Sequence, residues 1–293
     1  MVRASMVLLC LVWGSTWVVI RGGLRDLPPF TSAAARFVVS GAAMSALVAL
    51  LGRRESGKPP PTFLWLVLGT LSFGASYAIV YRTETLLPSG LVSLLWSVFP
   101  MLMAISGHWF LPGERLRGVH WLGFTIGSVG LALLFSTDLA ELGPEAIPGA
   151  ALLLVSPVVS AIATTVVKLH GAGVSSMRLN RNAMLLGAAL LSVLALATED
   201  VTTATWTPRA LLSVVYLALA GTVLTFGLYF WLLRYVDAHK MSLIAFVTPT
   251  VALALGWLTG EPVTYWTLGG AACVLGGVAL VVTARRVAPE RSR

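Results

Sequence analysis

A chain of 293 residues that is 57% hydrophobic and only 11% charged, with a mean hydropathy of +0.87, lies outside the composition of water-soluble globular domains. Such a chain belongs in a bilayer. Its formal net charge of +8 needs no nucleic-acid partner, because the basic residues are sorted by side of the membrane, where they also favour anionic lipid.

Ten stretches free of Asp, Glu, Lys and Arg follow in chain order: 4–20, 37–51, 59–81, 85–113, 118–137, 146–167, 182–198, 210–233, 241–260 and 262–284. Most are about 17–25 residues long, the length at which a helix rising about 1.5 Å per residue crosses about 30 Å of hydrocarbon. The second is long enough if it starts near Thr31 and includes Arg36. Alternating β patterning is absent, which argues against an outer-membrane barrel. The first stretch follows Arg3 as a signal peptide would, but its apolar run is too long and no small-x-small site closes it. It reads as a retained first helix.

With the N-terminus in the cytoplasm, 15 of the 20 Lys and Arg residues fall on the inner side, against Arg21, Arg25, Arg82 and Arg209 outside and Arg36 within a span. The positive-inside rule then predicts cytoplasmic N- and C-termini, and the acidic connection with Asp138, Glu141 and Glu145 lies outside. Cys10 and Cys273 fall within spans, too far apart in sequence to imply a disulfide framework.

The chain repeats itself. An offset of 149 places Pro100 on Pro249, Ser93 on Ser242, Leu94 on Leu243, Tyr77 on Phe226 and Tyr81 on Phe230, so that "PSGLVSLLWSVFP" answers "DAHKMSLIAFVTP". We read residues 1–140 as a first five-helix unit, 141–286 as a second, and 287–293 as a basic cytoplasmic tail. Five is odd, so the second unit enters the membrane from the opposite side. The expected fold is therefore all-α, with ten transmembrane helices in two inverted five-helix repeats. Inverted repeats are the layout of secondary transporters, with a substrate site near the midplane and alternating access by movement of one repeat against the other.

"WGSTW" in the first helix, the run Pro100, Glu114, Gly123 and Gly130, and its echo Pro249, Glu261, Gly269 and Gly276 together resemble the EamA type of the drug/metabolite transporter superfamily. The resemblance covers essentially the whole chain. It implies an exporter of small metabolites or amino acids, with aromatic amino-acid exporters of the YddG type as similar proteins.

Trp13 and Trp17 share a helical face at i, i+4, as do Tyr77 and Tyr81 in the third span, with Phe226 and Phe230 at the matching places of the eighth and Trp96 inside the fourth. Each of these rings fits ordinary helix packing, and Tyr81 fits an interfacial belt. As a cluster present in both halves they predict a substrate cavity with apolar walls and polar N–H or O–H tips. Ser160 and Thr164 are a weaker pair, since such hydroxyls often bond their own backbone. Pro100, Pro157 and Pro249 each remove a helical hydrogen bond and are expected to kink their spans, by way of a hinge or a static bend. Gly123 with Gly127, and Gly269, Gly270, Gly276 and Gly277, predict close helix packing, with a homodimer through that face as the alternative to a monomer.

Arg36 is the basic residue inside a span. A guanidinium there can bind a substrate carboxylate in bidentate fashion; the stronger expectation is that it snorkels outward or pairs with Asp26 or Glu84. No Asp or Glu occupies mid-span, which points to a facilitator of neutral or zwitterionic metabolites rather than a proton antiporter for cations. No metal or other cofactor is expected. A membrane-embedded enzyme would need a nucleophile with its base, a zinc motif or paired aspartates at depth, and none is legible. A nucleotide-sugar or phosphate-ester transporter would need several interior Lys or Arg residues.

Overall fold

The computed structural model describes residues 2–52, 55, 57–110, 116–136, 143–232 and 244–283, leaving aside the side chains of 2, 3, 227, 230–232, 245 and 246. Among the described residues the chain is helical apart from one isolated parallel bridge, Lys58 to Val174. The helical segments follow as α1 (Val2–Gly23), α2 (Pro29–Leu51), α3 (Thr62–Thr83), α4 (Ser89–Phe110), α5 (Gly118–Ser136), α6 (Ala146–His170), α7 (Ser176–Thr198), α8 (Pro208–Ala218, continued by Leu219–Leu224 and Thr225–Leu232), α9 (Ile244–Leu258) and α10 (Tyr265–Thr283). Seven are long and apolar enough to cross a membrane, namely α1 to α4, α6, α7 and α10, and shorter apolar helices lie in α5, α8 and α9. Exposed rings mark both ends of the bundle, with Trp109 and Trp121 at one and Trp206, Trp257, Tyr265 and Trp266 at the other.

A helix that starts in or near lipid has amide N–H groups with no intrahelical partner and little water to take them. Several starts follow a proline, which has no N–H to satisfy, as at Pro28, Pro61 and Pro88. Others are held by carboxylates from distant sequence. Glu199, just past α7, accepts the amides of Phe30 at 2.6 Å and Thr31 at 2.8 Å at the start of α2. Glu55, just past α2, accepts Met177 N at 3.1 Å, Ser176 Oγ at 2.9 Å and Ser175 Oγ at the start of α7. Burial alone would raise the Glu55 carboxyl; the donors Ser175, Met177 and Ser176 outweigh it and hold the group below its ordinary value. The two helices therefore lie antiparallel, each anchored by the residue that follows the other.

α5 and α10 are the second antiparallel pair, and they touch backbone to backbone. A Cβ on Gly123 would stand 2.7 Å from the Gly277 carbonyl, and one on Gly130 would stand 2.8 Å from that of Gly270. Gly123, Gly127, Gly270 and Gly277 are thus occupied within the chain and are not free to form a homodimer; Gly269 and Gly276 point to open space. Two parallel pairs complete the frame. α1 runs along α9, from the cluster of Leu9 with Ile244 to the ion pair of Arg21 with Glu261. α4 runs along α6, through Leu86 at Gly149, Trp96 at Ser156 and Ser106 at Thr165. Exchanging each helix for the one five places on converts these pairings into one another.

α3 and α8 share a feature the sequence did not predict. Both widen into π-type turns, over Leu68–Ser76 and Leu219–Leu224. In α8 the Thr222 hydroxyl donates to the Leu217 carbonyl at 2.8 Å, filling the widened turn. The prolines also behave differently from one another. α4 breaks at Ser97 and Val98, so Pro100 lies in the first turn of the resumed helix, where its missing N–H does no harm; Pro157 and Pro249 stay inside continuous helices.

The turn between α1 and α2 is tied to the start of α8. Asp26 accepts Arg209 Nε at 2.8 Å and Nη2 at 2.7 Å, and Thr207 Oγ1 at 2.7 Å. The Arg209 and Thr207 donors hold the Asp26 carboxyl at about 2, against 3.8 for a free side chain. The folded value is the lower one, so the stabilisation is complete above pH 3.8 and is lost as pH falls towards 2. Asp26→Asn should accordingly lower the unfolding temperature at neutral pH, with the difference from wild type vanishing in that acid range. For the glycine seam, Gly277→Val should destabilise by roughly 1–3 kcal/mol through overpacking, while Gly276→Val leaves thermal unfolding near wild type.

Candidate functional site

The rings singled out by spacing turn inward. Trp13 on α1 meets Phe226 and Tyr229 on α8, with centroids at 6.4 and 5.7 Å, and Phe226 meets Phe73 on α3 at 5.9 Å. Phe73 continues to Phe37 on α2 at 5.3 Å, and Phe37 stands edge-on to Tyr77 at 4.7 Å. A second string joins Trp17 to Trp96 on α4 at 6.2 Å and Trp96 to Phe99 at 5.0 Å. Tyr81 is fully buried on the same helix as Tyr77, which removes it from an interfacial belt. Phe230 lies in α8, but its side chain is outside the described residues. Glu114, most of the acidic connection and the tail 287–293 also lie outside the described residues.

"WGSTW" addresses three neighbours at once. Gly14 lets α9 approach until an added Cβ would stand 2.6 Å from Val251; Ser15 bonds the Tyr216 hydroxyl of α8 at 2.6 Å; Thr16 lies against Gly221. Trp13 and Trp17, though neighbours on one helix face, face α8 and α4 respectively.

Arg36 contradicts the expectation that it snorkels or pairs with Asp26 or Glu84. Its side chain is 2% exposed, Asp26 is taken by Arg209, and neither carboxyl oxygen of Glu84 has a partner. Its Nε donates to Thr222 Oγ1 at 3.1 Å, while Nη1 to Tyr81 Oη and Nη2 to the Gly221 carbonyl are long contacts of 3.5 Å. The guanidinium carbon stands 4.8 Å from the Tyr77 ring centroid. One sound hydrogen bond for five N–H donors leaves the group underused, and no carboxylate among the described residues neutralises it. The widened turn of α8 supplies both Thr222 and Gly221, neither of which is singled out by spacing or composition.

A polar relay the sequence also missed lies beside Trp96. Its Nε1 donates to Ser156 Oγ at 3.1 Å, and Ser156 bonds Ser76 Oγ at 2.7 Å, linking α4, α6 and α3. Ser156 stands directly before Pro157 in α6. Thr164 donates to the Ser160 carbonyl at 2.8 Å, as the backbone-bonding alternative had it, and these two do not join the Arg36 contacts.

A bundle of apolar membrane-length helices, with aromatic side chains and the Arg36 guanidinium turned inside, defines a multi-pass helical membrane protein. The profile of the EamA-like transporter family matches residues 4–136 and again 147–283, and the chain belongs to that family. It is similar to the uncharacterized transporter YoaV of Bacillus subtilis, 26% identical over 94% of this chain and 95% of that one. The uncharacterized inner membrane transporter YedA of Escherichia coli is 28% identical over 85% and 79%, and protein PecM of Dickeya dadantii 28% over 84% and 80%. A solved crystal structure shares the fold, with a TM-score of 0.70 and 23% identity over 98% of this chain and 99% of the other.

A buried cation without a counter-ion lowers stability, so Arg36→Met should leave the unfolding temperature unchanged or raise it. A large fall in detergent-solubilised thermal stability would instead make Arg36 a structural residue.

Proposed function

We propose that the protein is an inner-membrane exporter of small neutral or zwitterionic metabolites, amino acids foremost, working by alternating access at a central cavity. Trp13, Trp17, Tyr77, Tyr81, Trp96 and Phe226 form its walls in this reading, with Phe230, Ser160 and Thr164 at its margins, and Arg36 receives the substrate carboxylate. The observation that carries this is the buried, underused guanidinium of Arg36 among inward-facing rings. A carboxylate entering beside it would complete a bidentate, charge-assisted pair in a low-dielectric setting.

Several features support the arrangement across the membrane. The parallel pairs α1–α9 and α4–α6 and the antiparallel pairs α2–α7 and α5–α10 fit ten spans in which residues 141–286 repeat residues 1–140 upside down. The distribution of Lys and Arg favours cytoplasmic termini. Pro157 and Pro249 stand where a rocking movement would bend α6 and α9. Transport is facilitative, since no carboxylate of the described residues lies beside Arg36. A phosphate ester or nucleotide sugar fits less well, because Arg36 is the one fully buried Lys or Arg side chain among the described residues.

Uptake into proteoliposomes, compared for amino acids, their amides and the corresponding amines, tests the proposal. Amino acids should be carried, with loss of the carboxylate reducing flux at least about tenfold, as removal of one partner of a buried charge pair does. Arg36→Lys should fall by a similar factor, because an ammonium cannot form the fork, and Trp96→Ala and Tyr77→Ala should reduce flux at unchanged protein level. Absence of flux for every zwitterion would overturn the reading, and accumulation driven by a pH gradient would overturn its facilitative mode.

A further inference from the structure

The end of the bundle that carries Arg21 holds two carboxyl groups in opposite circumstances. Glu261, in the turn between α9 and α10, accepts Ser89 N at 3.0 Å and Gly90 N at 3.1 Å at the start of α4, and Arg21 Nε stands 3.3 Å from its Oε1. Arg21 also donates to the backbone carbonyls of Glu84, at 3.1 Å, and Leu87. One guanidinium thus fastens α1 to both the α3–α4 turn and the α9–α10 turn. Gly256 makes room for this, since a Cβ there would collide with the Glu261 carboxylate.

Glu84 lies in the same place and has nothing. It is 1% exposed, and neither of its carboxyl oxygens has a hydrogen-bond partner. Burial first, and the neighbouring Glu261 second, push its carboxyl well above the ordinary value, opposed only in part by Arg21. The titratable groups that act on it are Glu261, Arg21 and, one turn earlier on α3, Tyr81. A buried carboxyl with no donor is stable there as the neutral acid.

From this end a line of further unpartnered buried polar atoms leads towards the aromatic site: Ser89 and Ser93 Oγ on α4, Trp17 Nε1 on α1 and Thr248 Oγ1 on α9. All lie on three helices that pack against one another, with Gly90 against Leu253 and Gly14 against Val251. Buried polar groups are normally paired, so a file of unpaired ones along a single seam marks a surface that meets water in another conformation.

We propose that the seam between α1, α4 and α9 is the closed exit of the transport path and that Arg21, Glu84 and Glu261 form its proton-linked latch, shut with Glu84 protonated and open with Glu84 hydrated and ionised. On opening, the Glu84 O–H bond breaks and its proton passes to water at that end; on closing, the same proton is taken back. No other bond changes. The exit role rests on the alternating-access reading, whereas the latch is tested without substrate. Its sign follows from linkage: the closed state binds the proton more tightly, so acid favours it. The closed-to-open ratio falls up to about tenfold per pH unit between the ordinary carboxylate value, about 4.3, and the raised value of the closed latch.

The test uses the full chain in lipid nanodiscs, with Cys10→Ala and Cys273→Ala, and spin labels at Thr85→Cys and Thr259→Cys, two exposed positions flanking the latch. The short-distance population should dominate in acid and decline with rising pH, and in Glu84→Gln it should persist at every pH. Gly256→Val, which displaces Glu261, should give the long distance throughout. Independently of any variant's folding, infrared spectra of the wild type should contain a carboxylic-acid carbonyl band that persists above the ordinary carboxylate range and titrates together with the distance change. Distances unmoved by pH, a pH response retained in Glu84→Gln, or no such band in the wild type would each overturn the proposal.

Discussion

The antiparallel pair of α2 and α7 is held in one register by two glutamates, and the inner site depends on that register. A helix start in a medium without water needs acceptors for its first amides, and here each helix of the pair obtains them from the residue that follows the other. Sliding one helix by a turn, about 5.4 Å, would break both sets of bonds together. Glu261 repeats the device at α4, where its two oxygens take Ser89 N and Gly90 N. The carboxylates thus do for the helix ends what water does in a soluble protein, and they fix the height at which α2 presents Arg36 to α3 and α8.

That frame explains how an uncompensated guanidinium survives inside. Three carboxylates of the described residues are committed elsewhere: Asp26 to Arg209 and Thr207, Glu199 to the start of α2, Glu261 to α4 and Arg21. None of these three can swing to Arg36 without leaving backbone amides or another cation unpaired, and Glu84, though unpartnered, makes no ion pair with it. What remains is softer compensation, from the Thr222 hydroxyl, the Tyr77 ring face and two long contacts. Such partial satisfaction is a poor device for stability and a good one for receiving an anion, because the incoming group replaces weak contacts rather than strong ones.

The fold was legible in the sequence to the extent that lipid imposes length. Charge-free stretches located the helices, yet α7 begins at Ser176 and carries Arg178 and Arg181, because a helix continues past the hydrocarbon where charge counting stops. Trp13, Trp17, Tyr77, Tyr81, Trp96 and Phe226 turn towards neighbouring helices, but periodicity reports a face and not a neighbour. Trp13 and Trp17 meet different helices because several helices converge on α1. Arg36 departs from the expected snorkelling for a related reason: its distance from the helix end says nothing of the direction it faces, or of the prior claim of Arg209 on Asp26. The capping glutamates were invisible as caps, since their partners lie more than a hundred residues away in sequence. The widened turns of α3 and α8 carry no sequence pattern of their own; in α8 the bond from Thr222 to the Leu217 carbonyl marks the widening.

The placement of carboxyl groups bears on what protons are able to do here. In the described residues they stand at helix ends and turns, and none forms an ion pair with Arg36. A proton can do work against a gradient only if its site is exposed to alternate sides while it competes with, or accompanies, the substrate. Glu84 lies at one end, beside Arg21 and the α9–α10 turn, and the proton of its latch leaves and returns by that same end. Its ionisation therefore biases how often the exit opens and supplies no driving force. In the proposed reading a facilitative substrate site and a pH-sensitive exit are compatible in one molecule, because the first is set by Arg36 and its rings and the second by a carboxyl that forms no ion pair with Arg36.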